Sequence, residues 1–150
     1  TEKDWKSWWQ QPHIQSHLEN LFAPVGEMAG TLDVKVSFHP GQFCVLASDT
    51  PDIVERSIEE FEYHADMARW MGFGKSFQDG CKINVHISGK QGPDGIRKAL
   101  PRLSQEARNL ITIENDEMGH GLEKSLVLDI HHHGLGMKNT SRQMMTGSNV

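Results

Sequence analysis

Apolar residues follow two periods along this chain. Over residues 52–71, Val54, Ile58, Phe61, Ala65 and Ala68 recur at helical spacing, with Glu55, Glu59, Glu62, Asp66 and Arg69 beside them. That pattern predicts an amphipathic helix. Thr50 or Asp49 can cap its start, Pro51 suits its first turn, and Gly72 and Gly74 end it. A weaker helical pattern over residues 13–22 is expected to stop at Pro24, and another helix is expected over residues 96–108, with Pro101 in its first turns. Short apolar runs predict strands at residues 31–38, 82–87, 110–113 and 126–130.

The resulting order is strand, helix, strand, helix, strand, short link, strand, which argues for parallel βα units. An open doubly wound sheet and a (β/α)8 barrel both satisfy it. The loop containing Gly89, Gly92 and Gly95 lacks the Gly-Lys-Ser/Thr ending of a phosphate loop. Only fourteen residues separate Glu114 from Asp129, which is short for a crossover that includes a helix.

Each strand-like run ends in a residue type that binds metals. Val34 to Phe38 leads to His39, and Lys82 to Val85 leads to His86. Leu110 to Ile113 leads to Glu114, and Leu126 to Leu128 leads to Asp129, followed by His131, His132 and His133. Such residues at the C-terminal ends of successive parallel strands fit a barrel better than an open sheet. Imidazole nitrogen and carboxylate oxygen suit Zn2+ and Mn2+ without thiolates. Asp129 and His132 are three apart, so a turn beyond the strand can aim both at one ion. His131 and His133 then serve a second ion, a phosphate or a supporting partner. Glu114 can bridge two metals, and a pair about 3.5–4 Å apart supports phosphodiester hydrolysis. His64 is expected to be structural. His13, His17 and His120 have no supporting context.

Composition narrows the picture only slightly. The formal charge is −5, so this is no strongly basic nucleic-acid binder, although bound divalent ions alter the local field. Two cysteines, Cys44 and Cys81, have no metal-type spacing, which points to a reduced intracellular setting. No secretory signal and no bilayer-spanning apolar run is present in the sequence, so no membrane partner is expected. Trp5, Trp8 and Trp9 either pack on a core or offer a stacking surface for bases.

Five segments, taken in order, resemble the UV damage endonuclease family. They are Ser37-Phe-His-Pro-Gly-Gln-Phe-Cys-Val-Leu-Ala-Ser, Val54-Glu-Arg-Ser-Ile-Glu-Glu-Phe-Glu-Tyr-His, Asn84-Val-His-Ile-Ser-Gly-Lys, Ala107-Arg-Asn-Leu-Ile-Thr-Ile-Glu-Asn-Asp-Glu and Val127-Leu-Asp-Ile-His-His-His. The resemblance implies a (β/α)8 TIM barrel of the endonuclease IV type. Such a barrel takes about 250 residues, so a central part of one is expected here. It also implies a cluster of divalent ions, Mn2+ first with Zn2+ or Mg2+ as alternatives. By motif, His39, His86, Glu114, Asp129 and His132 are the implied metal ligands, with Glu114 and His132 catalytic. Gln42 and Phe43 are the implied pair that probes DNA at a lesion. An apolar wedge suits a loosened base stack, and an amide suits exposed base edges. The alternative for Phe43 is a buried aromatic beside Cys44 and Val45.

The implied activity is hydrolysis of the backbone 5′ to pyrimidine dimers and 6-4 photoproducts in UV-damaged double-stranded DNA. Its setting would be the cytoplasm or nucleoid, and the complete barrel would act as a monomer. The expected organisation is a Trp-rich segment at 1–24, a partial barrel at 25–134 and a polar tail at 135–150. Two other readings share these residues: a metal-dependent sugar isomerase or epimerase on the same superfold, and a truncated non-catalytic copy that binds metal. Fold alone does not separate them.

Overall fold

The computed structural model describes residues 2–114 and 132–133. Two helices come first, α1 (Glu2–Trp9) and α2 (Pro12–Thr31). Strand β1 (Val36–Phe38) precedes helix α3 (Pro51–Trp70) and strand β2 (Cys81–His86). Then come α4 (Gly92–Ala99), a 3₁₀ turn at Leu100–Arg102, α5 (Gln105–Leu110), β3 (Ile111–Glu114) and β4 (His132–His133). The four strands form one parallel sheet in the order β1-β2-β3-β4. Successive parallel neighbours in chain order are what a barrel wall requires.

Strand alternation sorts the sheet into two faces. Ile83, Val85 and Ile87 from the β2 segment, with Ile111 and Ile113 of β3, join one core. Phe61, Ala65 and Ala68 of α3, Ile96 and Ala99 of α4, and Ala107 and Leu110 of α5 complete it. Along the other face, Asn84 lies level with Thr112, and His86 with Glu114. Thr112 is fully buried and donates its hydroxyl proton to the Asn84 side-chain oxygen, so this polar pair is satisfied where water is excluded.

Helix α3 follows the predicted pattern closely. Thr50 is its N-cap by position, but its side chain makes no cap bond, and Pro51 at the first helical position needs no N–H partner. Gly72, at φ +91°, ends it in a conformation that side chains resist.

Helix α2 departs from expectation, running through Pro24 to Thr31. A proline inside a helix loses a hydrogen bond and crowds the preceding turn. Here the apolar spacing continues past it, and Gly26 and Ala29 are buried. Gly26 lies so close to the end of α3 that an added Cβ would fall 1.9 Å from the Met71 carbonyl oxygen. Tertiary packing therefore overrides the local signal. The same extension shortens β1, because Thr31 is helical and only residues 36–38 form strand.

The expected single helix over residues 96–108 is broken in two. Pro101 lies in the 3₁₀ turn, and Ser104 restarts the helix by accepting the Ala107 amide at 3.1 Å. The predicted strand at 126–130 and the polar tail at 135–150 lie outside the described residues.

The tryptophans join an aromatic seam between the N-terminal helices and α3. Trp9 packs against Trp70, with ring centroids 5.2 Å apart and the ring planes tilted by 43°, and both Trp5 and Trp9 meet Tyr63 edge-on. Trp9 Nε1–H donates to Asp66 at 2.8 Å, and Lys6 pairs with Glu59. Part of the charged stripe on α3 thus anchors a third layer. Among the described residues no helix is long and apolar enough to cross a membrane.

Candidate metal centre

Three strands present polar side chains at their C-terminal ends. His39 follows β1 directly, His86 is the last residue of β2, and Glu114 is the last of β3. Parallel register sets His86 beside Glu114 on one face. Each of the three offers a ligand atom, and these atoms lie within 4.8 Å of one another. Glu114 Oε2 is the hub, 2.5 Å from His39 Nε2 and 3.8 Å from His86 Nδ1. The two imidazole rings meet edge to face at 4.9 Å. His86 and Glu114 are largely covered, with side chains 15% and 19% exposed, while His39 is open at 46%. Among the three, His39 is thus the member that faces solvent.

His39 Nδ1 lies 3.2 Å from the Pro40 carbonyl oxygen. A carbonyl only accepts, so the Nδ1 contact requires a ring proton there; in the neutral tautomer that carries it, the Nε2 lone pair is available to a cation shared with Glu114. A backbone carbonyl orienting one ring nitrogen while the other is left as ligand is the usual arrangement around metal-binding histidines. With two nitrogens and one carboxylate, the donor set fits Mn2+ or Zn2+, and Mg2+ less well.

Gln42 and Phe43 are both exposed in the turn after Pro40, with Phe43 at 80%. Phe43 is therefore not the buried neighbour of Cys44 that composition also allowed. Cys44 itself is buried, which pushes its thiol up to about 12, the nearby charge of Glu60 adding to the effect. His132 lies within β4, level with Ile113, and His133 is level with Glu114. His132 thus belongs to the strand rather than to a turn beyond it. Asp129 and His131 lie outside the described residues. His64 packs as expected of a structural histidine. Its Nδ1–H donates to the Glu60 carbonyl at 2.7 Å, its ring stacks on Tyr63, and burial lowers its pKa.

Sequence reasoning missed how the turn carrying Gln42 and Phe43 is held. The Gly41 amide donates to Glu60 Oε1 at 3.1 Å, and the Val45 amide donates to Ser57 Oγ at 2.8 Å. The only trace in the sequence is a polar row of Ser57, Glu60 and His64 at helical spacing beside the apolar face of α3, which by itself reads as a solvated edge.

Parallel βα units with an imidazole–carboxylate cluster at the C-terminal strand ends define a barrel protein whose site opens on that face. The sequence model of UV-endonuclease UvdE matches residues 5–147, and the chain belongs to this family. The UV DNA damage endonuclease of Bacillus mycoides (strain KBAB4) is 29% identical over 143 residues, covering 81% of this chain and 43% of the relative. That of Nostoc sp. is 30% identical over 130 residues, covering 80% of this chain and 40% of the relative. The UV-damage endonuclease of Schizosaccharomyces pombe is 28% identical over 136 residues, covering 81% and 22%. A crystal structure of SacUVDE superposes with a TM-score of 0.71 at 21% identity, over 91% of this chain and 50% of that one. The fold is thus part of a TIM barrel, not an open doubly wound sheet. The chain spans less than half the length of each of these three curated relatives.

Proposed function

We propose that the protein is a DNA-repair endonuclease that hydrolyses the backbone 5′ to UV photoproducts in duplex DNA. The observation that carries this reading is the meeting of His39, His86 and Glu114 at adjacent strand ends, in a chain of the UV-endonuclease family. These three residues would hold a divalent ion, Mn2+ first, with Asp129 and His132 completing the set. Such an ion supplies Lewis acidity toward a phosphoryl oxygen and eases deprotonation of water.

The chain's own residues supply the rest. Glu114 concentrates negative charge between two imidazoles, in the covered part of the cluster, with His39 at its exposed edge. The His39 ring is oriented by its Nδ1 contact with Pro40. Phe43, exposed four residues beyond His39, is placed to enter a base stack that a photoproduct has loosened. Gln42 hydrogen-bonds base edges that pairing no longer occupies. Selectivity then comes from the lower cost of deforming damaged DNA, without reading its sequence.

The test is Mn2+-dependent nicking of UV-irradiated and undamaged duplexes. The protein is expected to nick the irradiated duplex selectively, and His39→Ala and Glu114→Ala to lose about 100-fold or more. Full activity in both variants would overturn the site assignment. Turnover of an aldose with no DNA cleavage would move the protein to the sugar isomerase class.

A further inference from the structure

We infer that Glu60 and Ser57 are positioning residues, which hold the turn from Gly41 to Val45 so that Gln42 and Phe43 stand ready to meet DNA. The inference rests on the endonuclease reading above and extends it to residues of α3. The turn is closed by the Cys44 amide, which donates to the Gly41 carbonyl at 2.8 Å. Both of its ends are then tied to α3. Glu60 accepts the Gly41 amide, and Ser57 Oγ accepts the Val45 amide. The Ser57 hydroxyl proton goes to the Ile53 carbonyl at 2.7 Å, which leaves its lone pairs for Val45. Between the two ties, the Cys44 thiol is buried and lies 3.6 Å from the Ser57 carbonyl.

Phe43 is 80% exposed, so packing of its own ring does little to fix it. Its position is set by the backbone, and that backbone is set by α3. An aromatic wedge on a preformed turn loses less freedom on binding than one on a loose loop. Glu60 and Ser57 should therefore act on the affinity for damaged DNA more than on the chemical step.

The test uses the full chain, with Glu60→Ala, Glu60→Gln, Phe43→Ala and the double variant Phe43→Ala/Glu60→Ala. In amide hydrogen exchange, Glu60→Ala should speed exchange at Gly41 by about tenfold or more. Glu60→Gln keeps an acceptor oxygen and should restore most of the protection. On UV-irradiated duplex, Glu60→Ala should raise KM about tenfold while kcat stays within about twofold. In the Phe43→Ala background the same substitution should add little, because Glu60 acts through Phe43.

Unchanged exchange at Gly41 would overturn the inference, as would an equal loss from Glu60→Ala with and without Phe43. If Glu60→Ala does not fold, Ser57→Ala read at the Val45 amide decides the same question. If Phe43→Ala binds irradiated DNA as the parent does, the probing role fails and the inference falls with it. Retained sensitivity to Phe43 with none to Glu60 overturns the inference alone.

Discussion

Replacing Glu114 by glutamine tests the metal centre without relying on catalysis. The substitution keeps the side-chain shape and one oxygen but removes the charge at the hub, where Oε2 faces both imidazoles. Losing a supporting partner of a ligand typically weakens metal binding 10–100-fold, so losing the ligand charge should weaken it by about 100-fold. With Mn2+ at about 100 times the parent dissociation constant, binding stabilises the parent by about 2.7 kcal/mol and the variant by about 0.4 kcal/mol. The difference, about 2.3 kcal/mol, corresponds to about 5–9 °C for a chain of this size. The assay is thermal unfolding by circular dichroism, with chelator and with Mn2+. In chelator the two proteins should melt within about 1 kcal/mol of each other, because His39 is half-exposed and the His39–Glu114 contact is weakened by solvent. Parent and variant should separate only when the ion is present. If Mn2+ raises both midpoints equally, or neither, these residues do not form the ion site.

Gly89→Ala should destabilise the fold by about 2–5 kcal/mol, read by urea unfolding. Its φ is +116°, and an added Cβ would lie 2.4 Å from the Ala47 carbonyl oxygen, so strain and overlap combine. Thr112→Val removes the hydroxyl that serves Asn84 in the buried inner face, at a cost of about 1–3 kcal/mol in the same assay. Burial raises both thiols, Cys44 and Cys81, from 9.0 to about 12. Native protein at pH 8 should therefore resist iodoacetamide, and denatured protein should react; rapid native labelling would contradict the burial. By linkage, the raised thiols contribute fully below pH 9. As pH climbs from there through about 12, the unfolded chain loses protons first and stability should fall.

What the sequence made legible shares one physical origin. In Lys82-Ile-Asn-Val-His and Ile111-Thr-Ile-Glu, a period of two sends the isoleucines and valine to the helices and Asn84, His86, Thr112 and Glu114 to the opposite face. The pattern that predicts the strands therefore also places the cluster at their ends, and the two could be read together. Pro24 and Pro101 were misjudged in opposite directions for a related reason. A proline states a local preference, and its outcome depends on partners distant in sequence. Gly26 against Met71 holds α2 continuous, while the Ser104 cap, with its amide bonded to Glu62 at 2.6 Å, restarts α5.

The hold on the 41–45 turn was hidden for a third reason. Glu60 and Ser57 read as ordinary polar positions on an amphipathic helix, and nothing local distinguishes an acceptor for a distant amide from a solvated side chain. What distinguishes them is the turn's own demand. Gly41 and Val45 carry amides outside any helix or strand, and each must find an acceptor or stay in water. The turn lies within the connection, residues 39–50, that joins β1 to α3, so α3 packs back alongside it and its polar row supplies both acceptors. The face of α3 that packs on the sheet and the edge that holds the turn are thus two sides of one helix. A change that shifts α3 against the sheet, such as Phe61→Ala in its buried centre, should loosen the Gly41 and Val45 amides together, although it touches neither.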